Sequence, residues 1–417
     1  MADLLSKVNQ KQEAVYSWLD QQEKTIELPL YSSVDIRDAG FKAAVVDTNL
    51  FPGGFNNLCE HGLADAVGFM KAAILARVPK CENILIIAEE HTRNTWYLEN
   101  IRILEEIITK AGFQARIATF ISVEPAFCDN ANYVELETAA NKPVRIFCLK
   151  KILNNYQQGR QQYDLIIMNN DLTTGIPEIL KNSKLPIYPS LQAGWHARLK
   201  SHHFELTQEL IDEFAKIINI DSWFFSCFYD VVENVNINVD FDRQKLMEKA
   251  ENIFKKVAAK YKEHDIDGKP YLFLKSDSGT YGMGVEPIEK PEDILTLNRK
   301  IRNNLNKGKS AQIIDRFLIQ EGVPTIYNID DQVSEVSLYQ IENNIIGGFY
   351  RLNSQKTDRQ NLNSQGMSFK KMCPHLPKYG ICGVHHDMNI FDLYRILARI
   401  AVIAAHREVV SLEASKL

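Results

Sequence analysis

Charge of one sign is the first thing this sequence lacks. Its 417 residues carry 48 Lys and Arg against 53 Asp and Glu, a formal net charge of -5. Without a basic excess there is no global field to recruit nucleic acid as the main partner. Long apolar runs are also missing. A membrane helix needs roughly 18 or more apolar residues, and the longest candidate, Ile396 to Ala405, stops at His406 and Arg407. The opening MADLLSKVNQ has no basic stretch leading into an apolar core, so it does not read as a signal peptide. Seven cysteines stand singly with no CxxC. That leaves no spaced zinc set and fits reduced thiols in a cytoplasmic protein. His385 and His386 read as loop residues. There is no internal repeat and no low-complexity segment.

What is present is a globular chain, 45% hydrophobic and long enough for two or three cored domains. Residues 4–22 show a helical pattern. From 43 to 190, apolar runs at Ala43–Val46, Ile84–Ala88, Ala115–Phe120, Val144–Cys148 and Leu165–Met168 alternate with helix-like stretches at 63–77 and 95–111. That rhythm predicts a largely parallel sheet in an α/β domain. Residues 242–262 form an amphipathic helix with Leu246, Ala250, Ile253, Val257 and Tyr261 on one face. Strands are expected at Tyr271–Leu274, Val285–Ile288, 312–319, 333–341 and 344–352. A helix apolar nearly all round, and so buried, is expected at 390–406, followed by a last strand at Val409–Ala414.

The segment from Leu272 to Val285 holds Lys275 at a strand end and then Gly279, Gly282 and Gly284. Glycines let a backbone approach a ligand and aim its amides at an anion. No Gly-Lys-Ser/Thr opens a helix, so this is not a Walker A loop, and the spacing is not that of a Rossmann fingerprint. A loop between antiparallel strands can fold over a triphosphate. Next come a strand ending in Gln320-Glu321, then Arg351, then Arg359-Gln-Asn-Leu. Arginine forks suit carboxylate and phosphate.

That order resembles the ATP-grasp superfamily, and within it the glutathione-synthetase-like ligases. The resemblance implies an ATP-grasp fold of α/β plus α+β class, with an N-terminal α/β parallel-sheet domain at 1–205. A small subdomain carrying the glycine flap would occupy 206–320, and a C-terminal subdomain 321–417. It further implies that Lys275, Ser278, Gly279, Thr280, Gly282 and Gly284 hold the phosphates of ATP. Gln320 and Glu321 would lie at the adenine-ribose end, and Arg351 and Arg359 at the γ-phosphate and the activated carboxylate. Such ligases carry an acid and a Glu-x-Asn on late strands for magnesium. The late segment has none, so Glu413 and Asn353 are the metal candidates.

Over its whole length the chain resembles the glutamate–cysteine ligase family of some proteobacteria. Val46-Asp-Thr-Asn-Leu-Phe-Pro-Gly-Gly-Phe-Asn-Asn-Leu58, Glu89-Glu-His-Thr-Arg-Asn94, Met168-Asn-Asn-Asp-Leu172 and Gly194-Trp-His-Ala-Arg198 carry that likeness. The residues themselves point to an amino-acid site. Asp47 and Asn49, Glu89 and Arg93, and Asn170 with its neighbours each follow an expected parallel strand, where α/β sheets bind ligands. Acids there suit an α-ammonium, and Arg93 or Arg198 an α-carboxylate, with Asn56 nearby. The resemblance implies that ATP and Mg2+ activate the side-chain carboxylate of L-glutamate as an acyl phosphate, which L-cysteine attacks. This is the first step of glutathione biosynthesis. Another ATP-grasp peptide ligase, such as a glutathione synthetase, and a non-catalytic ATP-binding module are the competing readings.

Overall fold

The computed structural model describes residues 1–90, 93–120, 133–278, 284–306, 314–373 and 388–415. The expected N-terminal helix is two, α1 (Ala2–Gln10) and α2 (Gln12–Glu23), broken at Lys11.

The alternation of apolar runs and helices builds a sheet of order β5-β6-β4-β3-β7-β8. Its strands are β3 (Asn83–Ala88), β4 (Gln114–Thr119), β5 (Tyr133–Glu137), β6 (Pro143–Cys148), β7 (Leu165–Asn169) and β8 (Ile187–Tyr188). All pairs are parallel except β5 with β6. Both faces are covered, as continuous apolar strands require. Ile84, Ile86, Leu165 and Ile167 pack on one side with α3 (Glu60–Arg77) and α4 (Thr95–Lys110). Leu85, Ile87, Ile166 and Met168 pack on the other with α5 (Leu149–Gln157).

The central sheet joins the two ends of the chain. It contains β1 (Tyr31–Asp38), β2 (Ala43–Asn49), β13 (Asn328–Ile329), β14 (Gln332–Ile341), β15 (Asn344–Asn353) and β16 (Met367–Met372), in order β16-β15-β14-β1-β2 with β13 on β14. Every pairing is antiparallel. The expectation of a parallel strand at 43–46 is therefore corrected. Gly40 takes φ +80, its N–H donates to Asp38 Oδ1, and Ala39 N–H bonds Lys42 O, so the chain turns back at once and β2 pairs with β1. A division at residue 205 cuts across this sheet, since residues 31–49 pair with strands after 328.

A third, antiparallel sheet, β11-β10-β12-β9, uses β9 (Tyr229–Val232), β10 (Leu272–Ser276), β11 (Val285–Ile288) and β12 (Phe317–Glu321). Leu246, Ala250, Ile253 and Val257 of α7 (Asp240–Glu263) form its core with Leu272, Leu274 and Ile319. The short α8 (Arg299–Asn306) adds Leu305.

Helix α9 (Met388–Ala414) lies behind the central sheet, against α6 (Lys200–Ile218). Its residues from Leu393 to Ala405 are almost all buried, among Val34, Ile36, Val336, Leu338, Tyr350 and Leu352. The last strand expected at 409–414 is instead the end of this helix. The local Val409-Val410 preference yields to a helix already propagating from a buried segment. Among the described cysteines, Cys59, Cys81, Cys227 and Cys373 are free thiols, but Cys148 is disulfide-bonded, so the expectation of thiols throughout does not hold.

Arg198 locks α6 to α9. Its Nε and Nη2 donate to Glu408 at 3.0 and 2.8 Å, its Nη1 reaches Thr48 O at 3.4 Å, and both side chains of the ion pair are fully buried. Arg198 is thus a support behind β2 rather than the substrate ligand expected from the sequence. Burial works against the Glu408 charge, but Arg198 and His203 hold its carboxyl down at about 2. Arg198→Ala is expected to cost about 3–5 kcal/mol in urea unfolding at neutral pH, because it strands a buried carboxylate. With its folded value depressed, Glu408 contributes stability above its ordinary 4.5 that disappears as pH falls from there toward 2. Glu408→Gln should flatten that part of the acid profile.

Candidate active site

The period of two that sends Val34, Ile36, Val336 and Leu338 into the core sends their neighbours the other way. Ser33, Asp35 and Arg37 of β1, Asp47 and Asn49 of β2, Glu335, Ser337 and Tyr339 of β14, and Phe349 and Arg351 of β15 all line one cleft of about 910 Å³. This sheet face is the floor. The carboxyl ends of β3 and β7 supply one wall through Glu89, Asn169 and Asp171, and the third sheet supplies the other through Phe273, Lys275 and Gln320.

The floor is a lattice of opposite charges. Arg351 Nη1 reaches Asp35 Oδ2 at 2.9 Å and Glu335 Oε1 at 2.5 Å, and Arg37 Nε reaches Glu335 Oε2 at 2.6 Å. Strand register puts Glu335 opposite Arg351, and Asp35 opposite both Ser337 and Asp47. Burial pushes the Asp35 carboxyl up, against the pull of Arg351. Glu335 meets the same burial but stays below the usual carboxylate range because Arg37 and Arg351 both face it. Beside them Asp47 is bonded by Lys200. Burial opposes its charge, yet Lys200 and Lys275 hold it at about 2.

Lys275, at the end of β10, is buried, and its ammonium reaches Val46 O at 3.4 Å. Burial first, then repulsion from Lys200, brings it down to about 8. On the wall, Glu89 Oε1 accepts from Asp171 N at 2.8 Å, and Tyr97 Oη, from the first turn of α4, donates to Asn169 O at 2.9 Å. Asn94 caps that helix by accepting from Tyr97 N. Asn100 Oδ1 takes the amides of Gly54 and Phe55 at 2.7 and 2.9 Å, which fixes the loop bearing Asn56 at the rim. Only glycine fits at 54, where a Cβ would stand 2.5 Å from Tyr339 Oη.

The structure thus brings Lys275, Gln320, Glu321, Asp47, Asn49, Asn56, Glu89 and Arg351 to one cleft. Glu321, though lining it, is engaged by Lys42 Nζ at 2.8 Å, Trp223 Nε1 and the Phe228 amide. It binds β12 to the β1–β2 hairpin rather than offering a carboxylate to a ribose. Gln320 Nε2 is buried with no partner. Several expected residues lie elsewhere. Arg359 donates to the carbonyls of Lys269 and Pro270, pairs with Glu289 at 2.9 Å and stacks on Tyr271. Asn353 Nδ2 donates to Leu362 O, Ser364 Oγ and Gln365 O, and so shapes the loop after β15. Glu413, on the last turn of α9, accepts from Ser190 Oγ at 2.5 Å. Asn170 ties β7 to Ala88 O and the Leu172 amide, and Arg93 is exposed outside the cleft lining. Ser278 and Gly284 flank the flap without lining the cleft, and Gly279, Thr280 and Gly282 fall outside the described residues.

Sequence reasoning missed Asp35, Arg37, Lys200 and Glu335. The signal was there for three of them: Ser33-Val-Asp-Ile-Arg37 and Ser334-Glu-Val-Ser-Leu338 alternate polar and apolar residues.

Lysines and arginines converging on carboxylates in a nucleotide-sized cleft are the equipment of an ATP-dependent ligase. A model of the glutamate-cysteine ligase family GshA matches residues 6–409, and the chain belongs to that family. A protein from Methylobacillus flagellatus KT, provisionally named a gamma-glutamylcysteine synthetase, shares 30% identity at TM-score 0.85, over 98% of this chain and 96% of that one. D-alanyl-alanine synthetase A from Vibrio cholerae aligns at 10% identity and TM-score 0.33, over 77% of this chain and 81% of that one. A glutathione synthetase-like effector from Globodera pallida aligns at 12% and 0.32, over 88% and 81%. Neither of these two is close enough to argue from. No curated protein matches the chain.

Because Lys275 gives up its proton near pH 8, an anion held by its ammonium should bind well below that pH and lose affinity above it. Calorimetric titration with tripolyphosphate should show up to about tenfold weakening per pH unit above 8. Lys275→Arg should remove the dependence. A flat profile in the unmutated protein would mean that Lys275 does not hold the anion.

Proposed function

We propose that this glutamate–cysteine ligase works by an ATP-grasp mechanism, in which the cleft transfers the γ-phosphoryl group of ATP to the side-chain carboxylate of L-glutamate. The amine of L-cysteine then displaces phosphate from the acyl phosphate to give γ-glutamylcysteine. The observation that carries this reading is the convergence of Lys275, Lys200 and Arg351 on the same floor as Asp35 and Asp47. Lys275 and Lys200 hold the phosphates, and Arg351 steadies the charge that moves between the two oxygens. Gln320, with its unpaired buried amide nitrogen, faces the base. Glu89 and Asp171, at the ends of β3 and β7, suit an α-ammonium.

Ligases of this family use a divalent metal. The acid-x-amide spacing that the late segment lacks occurs as Asp47-Thr-Asn49 on β2, with Asp35 opposite Asp47 in register and Glu335 on the neighbouring strand. These are oxygen donors of the kind Mg2+ prefers, and the burial that raises Asp35 marks a carboxylate a cation would relieve. They replace Glu413 and Asn353 as metal candidates. Mg2+, when bound, would offset the phosphate charge.

Phosphate release should require L-glutamate, L-cysteine and Mg2+ together. Turnover with glycine and γ-glutamylcysteine, but none with glutamate and cysteine, would overturn the assignment in favour of a glutathione synthetase.

The two arginines should separate. Arg351→Ala should lower kcat by roughly two to three orders of magnitude, since removing one such donor costs about 3–4 kcal/mol in the transition state. Arg359→Ala, which only loosens a surface ion pair and loop, should leave kcat within about threefold. Steady-state kinetics on variants whose folding is verified by circular dichroism decides it. Equal losses would return Arg359 to the reacting centre.

A further inference from the structure

Outside the cleft, the described residues hold two clusters whose ligand atoms lie close enough to share a cation. In the first, Asp221, Glu263 and His264 come together. That cluster holds two carboxylates and one imidazole but no thiolate, with Lys260 bonding Asp221 and lying 2.9 Å from Glu263, so it lacks the donors that select a soft cation. The second cluster is Cys59, His61 and Cys373, whose sulfur and nitrogen atoms all lie within 4.8 Å of one another.

We propose that Cys59, His61 and Cys373 form a binding site for a soft divalent cation, zinc being the fitting one. Both sulfurs are buried, and His61 closes the set from the exposed side, with its Nδ1 3.8 Å from Cys373 Sγ. A tetrahedral zinc, with bonds of about 2.3 Å to sulfur and about 2.0 Å to nitrogen, sets its ligand atoms about 3.5–3.8 Å apart. The cluster therefore needs only small side-chain movements to close. Two thiolates and an imidazole select zinc over magnesium, so this site is chemically distinct from the oxygen-lined floor of the cleft. Cys59 caps α3, its sulfur accepting from Gly62 N at 3.4 Å. Binding forms two metal–sulfur bonds and one metal–nitrogen bond, releases both thiol protons to solvent, and leaves the fourth position to water. No electron is transferred.

The sequence separates these ligands by more than three hundred positions, and the fold joins them where β16 ends and α3 begins. The turn at Phe55–Asn57, just before Cys59, packs on β16. The cation would fasten that turn, with its cleft residues Asn56 and Asn57, to the strand that carries Phe369 into the same cleft.

The test uses the full chain, freed of metal by chelation and kept reduced by a phosphine. Titration with Co2+ should give one equivalent of tetrahedral visible absorption together with sulfur-to-cobalt charge transfer. Zn2+ should abolish both signals and raise the thermal midpoint. Cys373→Ser and Cys59→Ala should each weaken binding on the order of a hundredfold or more, by loss of a thiolate bond. Cys81→Ser, a buried thiol elsewhere, should leave the titration unchanged. Absence of the charge-transfer band, or an undiminished band in the Cys59→Ala/Cys373→Ser double variant, overturns the proposal. The readouts require neither ATP nor an amino acid, so their failure would leave the ligase reading untouched, and failure of the ligase assays would leave this one standing.

Discussion

Four charges on the floor of the cleft, three buried and one half-buried, constrain everything around them. Asp35, Glu335, Arg37 and Arg351 interlock across three adjacent strands. Buried ions are tolerated only when each has a partner in good geometry. Here that geometry depends on register: a slip of one residue in β1 or β14 would turn the charges into the core and the valines and leucines into the cleft. Arg37 extends the constraint outward, donating to the carbonyls of Asp358 and Gln360 at 2.8 and 2.7 Å, so the loop after β15 is held from the same lattice.

The opposite face of that sheet supplies the rigidity. Helix α9 is apolar on nearly all sides because it is covered on nearly all sides. Gln340 bonds its Ala398 carbonyl, and the Arg198–Glu408 pair fixes it to α6 directly behind β2. The strand bearing Asp47 and Asn49 is thus backed by a locked ion pair. The third sheet meets this assembly through Lys42 and Glu321, fully buried at 2.8 Å, which carries Lys275 and Gln320 to the rim on a defined path. Fixed charges act only where they are held, and this backing holds them.

Much of this was legible locally. The parallel sheet, helices α3, α4 and α7, the late strand pair and the buried helix all follow from periodicity and turn chemistry within a few residues. So do the strand-end acids Glu89 and Asp171 and the strand-end Lys275. Arg351 was legible through motif order. Arg359 follows the same order but sits on Glu289 and backbone carbonyls, because an arginine's partners are set by what folds beside it. Val409–Ala414 had strand-like alternation, yet it continues a helix nucleated in the core before it.

The sequence by itself determined the family and most of the element types, because these are written in short-range patterns. Only the tertiary structure decided which charges meet. β1 and β14 pair across some three hundred residues, a contact no local pattern specifies, and their pairing makes Asp35, Glu335 and Arg351 a single site. It also set Asp47 and Asn49 on that floor, left Glu413 and Asn353 outside the cleft lining, and turned Arg198 from a candidate ligand into a buried support. Distance along the chain carries no record of burial, and burial is what separates a charge that binds substrate from one that holds two helices together.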